Sequence, residues 1–215
     1  MERMSIQSPK PLTAMATISE NHSFSHFFSQ LKQIHPLTPE LQETLARCIT
    51  RECLPARTLL LEEGEVCERV YYLESGLARG FYRLGEEEIT SWFVGAGSWM
   101  LAVTSFFTQK PSQEYIELLE ESTLLSIDFA SLERIYDQFH EFNFIGRVLT
   151  EHYYGMSEQR SWALRRQTAM ERYHHLLRTD PGLFDRVHLK HIASYLGMKR
   201  ETLSRLRNKN EESGQ

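Results

Sequence analysis

The spacing of hydrophobic positions changes period twice along the 215-residue chain. From about Phe24 to Arg51 the pattern is helical. In "TPELQETLARCI", Leu41, Leu45 and Ile49 recur every fourth residue behind Thr38 as N-cap and Pro39 at the first helical position. Between Leu54 and Phe129 the texture becomes short β-branched and aromatic runs: "RTLLLEEGE", "RVYYLESGLARGFY", "EEEITSWFVGAG" and "EESTLLSIDF". Gly64, Gly76, Gly85 and Gly97 punctuate them at roughly ten-residue intervals, which predicts an antiparallel sandwich or barrel. After Asp128 the helical period returns, first in "FASLERIYDQF" and then in a long helix reaching about Ala163.

Within that long helix Phe142, Ile145, Leu149, His152, Met156, Gln159 and Ala163 are spaced alternately by three and four. Such a heptad seam favours pairing with a second copy of the same helix, although His152 and Gln159 weaken it. A helix packed on its own β-domain gives the same spacing, and three heptads do not separate the two.

A further helix is expected from Thr168, with Glu171 completing a capping box, and it stops at Asp180-Pro181-Gly182. Two short apolar-patterned runs then flank one glycine in "LKHIASYLGMKRETLSRLR". A helix-turn-helix needs a small residue where its helices cross and a glycine at the turn. Ala193 and Gly197 meet those needs, with Ile192, Leu196, Met198, Leu203 and Leu206 at the packing offsets. Lys199, Arg200, Glu201, Ser204 and Arg205 remain for the outer face of the second helix. Arginine can donate twice to guanine and a carboxylate can accept from cytosine, so these five are the candidate base contacts. His188, Lys190, Arg207 and Lys209 are the candidate phosphate contacts. A helical hairpin with a charged outer face is the plainer reading of the same stretch.

Charge sharpens this picture. Residues 1–159 hold 12 Lys/Arg against 23 Asp/Glu, whereas residues 160–210 hold 12 against 4, within a formal net charge of −5. An acidic front with a basic rear domain points to a nucleic-acid partner. The cysteines Cys48, Cys53 and Cys67 are too few and too scattered for a disulfide framework or an iron–sulfur cluster. No metal and no cofactor is expected. Ser91–Gln109 lacks charge over 19 residues, but Gly95, Gly97 and its Ser/Thr content argue against a membrane span. Residues 1–23 read as a polar tail without a secretory h-region, and a cytoplasmic location is expected.

At this point the residues resemble a known family. "IASYLGMKRETLSRLR" is similar to the C-terminal DNA-binding domain of Crp/Fnr bacterial transcription regulators, and Gly64, Gly76 and Gly97 fall at the turns of their cyclic-nucleotide-binding-type β-roll. The resemblance spans about Phe24 to Lys209. It implies an α+β fold with an N-terminal antiparallel, jelly-roll-like β-roll sensor (24–137), a dimerisation helix (138–164) and a helix-turn-helix domain (165–210). "TDPGLFDRVHLKH" is too short for the family's strand hairpin, so the wing is expected to be reduced. The resemblance also implies base reading by Arg200, Glu201 and Arg205 and a dimerising role for the long helix, whose heptad spacing puts the homodimer seam at Phe142, Ile145, Leu149, His152 and Met156. Its partners would be a near-palindromic double-stranded DNA and RNA polymerase.

Family members that bind a cyclic nucleotide hold the ribose with Gly-Glu and the phosphate with Arg. Here Leu101-Ala102 stands roughly where Gly-Glu belongs and Ser112 or its neighbour where Arg belongs, and Lys110 is the one cation between Arg83 and Arg134. Cyclic AMP bound in the family's manner is therefore not expected. Trp99, Met100, Lys110, Ser112 and Tyr115 are the candidates to line a pocket for some other effector, while aromatic core is the ordinary role for such residues. An enzyme of the metal-dependent cupin kind would need histidines inside the barrel, and none occurs between His35 and His140. Catalysis is not expected; a β-roll dimer that binds protein rather than DNA is the competing reading.

Overall fold

The computed structural model describes residues 24–213; the expected N-terminal tail lies outside the described residues. Helices α1 (Ser25–Ile34) and α2 (Pro39–Cys48) lead into the strands. Thr38 caps α2, its Oγ accepting the Leu41 amide proton at 3.3 Å, with Pro39 in the first turn as the sequence predicts.

Eight strands follow: β1 (Thr50–Leu54), β2 (Leu59–Leu61), β3 (Arg69–Ser75), β4 (Leu77–Leu84), β5 (Glu87–Gly95) and β6 (Ser98–Met100), then, after the short helix α3 (Val103–Thr108), β7 (Tyr115–Leu118) and β8 (Ser122–Asp128). They form two antiparallel four-stranded sheets, ordered β1-β8-β3-β6 and β2-β7-β4-β5. Gly64, Gly76, Gly85 and Gly97 all adopt positive φ at the intervening turns. This is the antiparallel sandwich-or-barrel architecture the short-strand pattern predicts, in the β-roll form the resemblance implies.

Aromatic packing seats α1 on the β1-β8-β3-β6 sheet. Phe27 from α1, Tyr72 from β3 and Trp99 from β6 meet with ring centroids 5.2–5.4 Å apart. On the other sheet, Trp92 lies over Gly80. A Cβ at that position would sit 2.1 Å from the indole, so only glycine admits it. Phe106 of α3 is fully buried in the same core.

The chain continues through α4 (Phe129–Gln138), capped by Asp128 on the Ser131 amide, and the long α5 (His140–Arg166). It ends in α6 (Ala169–Thr179), α7 (Leu183–Arg186), α8 (Leu189–Tyr195) and α9 (Arg200–Ser213). Thr168 and Glu171 form the expected capping box on α6. The segment that would carry a wing strand folds instead as α7, and among the described residues no strand follows β8.

The seam read from heptad spacing does not lie on one outward face. Phe142 and Ile145 are buried in the chain's own core, and Leu149 packs against it, while His152 and Met156 are exposed. An α-helix drifts about 20° per heptad against a strict 3.5-residue repeat, so a line that starts on the β-roll turns outward along the helix. Phe144 and Trp162 project from the side of α5 opposite Phe142, and both are exposed. No described helix is long and apolar enough to cross a membrane.

Candidate nucleic-acid interface

Helices α8 and α9 make the helix pair that the glycine and apolar offsets predict. Ile192, Ala193, Leu196 and Leu203 are buried together, with Met198 and Leu206 packed at the margin. Gly197 turns the chain at φ 63°, and the Met198 amide donates back to the Ala193 carbonyl at 3.0 Å, closing a Schellman-type end on α8. The turn has a brace that sequence reading misses. Arg172 of α6 donates from Nε to the Leu196 carbonyl at 2.7 Å and from a terminal nitrogen to the Gly197 carbonyl at 3.3 Å. Its signal in the sequence is faint, because an arginine on an amphipathic helix looks solvated.

All five candidate base contacts are exposed. Arg200, Glu201, Ser204 and Arg205 share one face of α9, and Lys199 immediately precedes it. The apolar residues of α9 point inward, which leaves this polar face free to enter a groove. Of the candidate phosphate contacts, Lys209 is exposed and Arg207 half-buried on the same helix. His188 and Lys190 sit instead at the start of α8, both exposed and close to His191, with Lys190 also near Glu88 of the β-roll. The structure thus brings the base set together and divides the phosphate set between two sites.

Beneath α8 lies a buried polar cluster that no sequence pattern announces. Arg79 on β4 is only 2% exposed and reaches five groups. Its Nε donates to Glu117 at 2.7 Å, one terminal nitrogen reaches Glu88 at 2.6 Å, and the other lies 3.5 Å from Thr90 Oγ and 2.6 Å from His191 Nδ1. Its guanidinium also stacks 4.0 Å over Phe81. Burial, then the Arg79 charge, lowers His191 to about 4. Burial alone would raise Glu88, but the hydrogen bond and charge of Arg79 carry it below the ordinary carboxylate range. Around this cluster, Arg160 donates to the Thr90 carbonyl at 3.0 Å and stacks on Tyr195, and Tyr195 meets Phe93 at 5.1 Å. Arg186 forks onto Glu120 at 2.7–2.8 Å. The helical domain and the β-roll therefore share one continuous interface, with Leu77 of β4 in the helical core.

The candidate effector residues do not converge on one cavity. Trp99 packs against Phe27 and Tyr72, and Met100 is core. Tyr115 stacks on Phe81 at 4.7 Å, and Lys110 is exposed. Ser112 is tied into the neighbouring backbone. Its Oγ donates to the Glu114 carbonyl at 3.0 Å and accepts the Glu114 amide at 2.9 Å, while its carbonyl accepts the Gly64 amide at 2.8 Å. Beside it the Glu114 carboxyl is raised by burial. A cavity of about 350 Å³ lined by residues 60–61, 65–69 and Tyr71 takes in none of the five. Cys67, on its wall, is a free thiol pushed up by burial. Among the described residues no cluster of three or more His, Cys, Asp or Glu could hold a metal ion.

Residues 51–139 match the family model of the cyclic nucleotide-binding domain. A comparison with curated proteins by sequence gives no significant match. Among solved structures, FixK2 from Bradyrhizobium japonicum aligns with a TM-score of 0.66 at 22% identity, covering 77% of this chain and 86% of its own. A Crp/Fnr-family transcriptional regulator from Eubacterium rectale aligns with a TM-score of 0.65 at 14% identity, over 83% and 85%. The c-di-GMP-responsive global regulator CLP of Xanthomonas campestris aligns with a TM-score of 0.64 at 17% identity, over 82% and 93%. At these identities the likeness is one of fold.

Proposed function

We propose, for a chain built on the fold of the Crp/Fnr regulators with a cyclic nucleotide-binding domain at residues 51–139, that it is a sequence-specific DNA-binding transcription regulator acting as a homodimer and not an enzyme. The observation that carries this reading is the polar face Arg200–Glu201–Ser204–Arg205. It stands exposed on a second helix whose apolar side is fully used in packing. Arg200 and Arg205 donate to guanine edges and Glu201 accepts from cytosine, while Lys190, Arg207, Lys209 and His188 bear on the backbone. Two copies joined through α5 would set two such helices about one DNA turn, ~34 Å, apart on a near-palindromic site. Because Phe142 and Ile145 serve the chain's own core, the pairing face on α5 is the outward one that carries Phe144 and Trp162. RNA polymerase is the partner such a regulator would act on.

Cyclic AMP held in the family's manner is not the effector. Leu101 and Ala102 replace the ribose-binding pair, and Ser112 and Glu114 leave no cation for the phosphate. Calorimetry with purified protein should show no saturable cyclic-AMP binding. Tight binding that Lys110→Ala removes would overturn this part. For DNA binding, a gel shift with genomic fragments should show sequence-specific retardation that Arg200→Ala with Arg205→Ala abolishes. No retardation at low salt would favour a protein-binding β-roll dimer instead.

A further inference from the structure

Helix α8 serves two neighbours at once. Ile192, Ala193 and Leu196 support the recognition helix, whereas His191 and Ser194 meet β5, the edge strand of its sheet. There Ser194 Oγ accepts the Thr90 amide proton at 2.9 Å and donates to the Glu88 carbonyl at 2.9 Å. It fills the hydrogen-bonding place a further strand would take. One helical turn away, His191 Nδ1 lies 2.6 Å from an Arg79 nitrogen. Arginine has only donors, so this ring nitrogen is the acceptor and the proton sits on Nε2. An imidazolium would instead aim a donor at a guanidinium, two cations in contact at a buried site.

We propose that Arg79, His191 and Ser194 form a proton-sensitive latch that fixes the position of the reading head on the β-roll, closed while His191 is neutral and opened when it is protonated. Its use in regulation rests on the DNA-binding reading above; the contact itself does not. The reading face of α9 stays exposed in the latched arrangement, so the latch positions the head and does not mask it. A head seated in this way needs no bound effector to hold it.

The groups facing His191 act in both directions. Arg79 from β4, with Lys190 and His188 from its own helix and cap, opposes protonation. Glu88 from β5, 4.0 Å away, favours it, but its charge is already engaged by Arg79. Glu117 from β7 bears on His191 only through Arg79. A released histidine titrates near its ordinary value of about 6.5, whereas the latched one, held down by burial and Arg79, titrates at about 4. Between these values the released head binds more protons than the latched head, so latching weakens as pH falls from about 6.5 towards 4.

The Thr90 amide is a direct reporter, because its proton is held by Ser194 across the seam. Amide exchange should be followed by NMR in the full-length protein without DNA, as protection factors corrected for intrinsic exchange. In the wild type, Thr90 protection should fall about tenfold or more between pH 7 and pH 5 relative to Leu125 in β8. In His191→Gln, whose amide oxygen accepts but cannot be protonated, it should stay level over that range. In His191→Lys, a fixed cation, it should be lost at pH 7 while Leu203 in α9 and Leu125 remain protected. Should His191→Lys also lose Leu203 protection, the head has unfolded, and the wild-type series and His191→Gln decide. Thr90 protection that tracks Leu125 in the wild type, or an equal acid loss in His191→Gln, would overturn the latch. A latch that behaves as expected in a protein showing no specific DNA binding would instead overturn the regulator reading and leave the latch standing.

Discussion

Arg79 shows what a single side chain can organise and why a sequence conceals it. In "GLARGFY" it looks like an outward polar position of a half-buried strand, since alternation alone decides that assignment. Its burial comes from a helix 112 residues downstream that closes over the sheet, and no local pattern encodes that. Replacing it by methionine keeps the bulk but leaves Glu88 and Glu117 without their shared cation. We predict that Arg79→Met costs about 3–5 kcal/mol, read as a lower midpoint in urea unfolding. A loss within 0.5 kcal/mol, the ordinary range for a surface site, would show that the cluster contributes little. By contrast, the exposed polar face of α9 was legible, because the packing of the helix pair fixes which positions point inward and so which are left over. Arg205→Ala should relax preference at one base position, at about 1–3 kcal/mol. Lys190→Ala should weaken all sequences alike and reduce the salt slope by about one. Equal effects of the two substitutions on matched and mismatched sites would contradict this division.

At the level of elements, capping and turn chemistry were the most readable features. Thr38, Thr168 with Glu171, and Gly197 all do what their residue types allow, since each acts through backbone groups within four residues. The face of α5 was less readable. A 3-4 spacing marks a buried line but does not say whether a second helix or the chain's own sheet buries it. Phe142 sits 5.2 Å from Tyr136 of α4, and Gly146 lets that tyrosine approach α5, so the upper part of the line belongs to the monomer. Two substitutions separate the faces. Phe142→Ala should destabilise the folded protein by about 3–5 kcal/mol in denaturant titration. Trp162→Ala should leave the fold intact and shift sedimentation towards monomer at low concentration. Unchanged association in Trp162→Ala would place the pairing face elsewhere on α5.

For the molecule as a whole, charge and architecture agree: the acidic β-roll carries a basic helical domain, and the exposed face of that domain has the donors and acceptors that base edges need. The order of roll, long helix and helix-turn-helix was readable because period, turn glycines and packing offsets each report a local constraint. The seating of the head on β5 was not, because it depends on surfaces that meet only in three dimensions. Falling pH should loosen that seating from about 6.5 towards 4, as His191 gains a proton more readily once released. The most direct measurement of the central claim is selection of bound duplexes from a random DNA library by the full-length protein, at moderate salt and neutral pH. An inverted repeat with half-sites centred about one helical turn apart should be enriched, and Arg200→Ala with Arg205→Ala should abolish that enrichment. Folded protein that enriches no sequence, even at low salt and with cell-extract metabolites present, would contradict it.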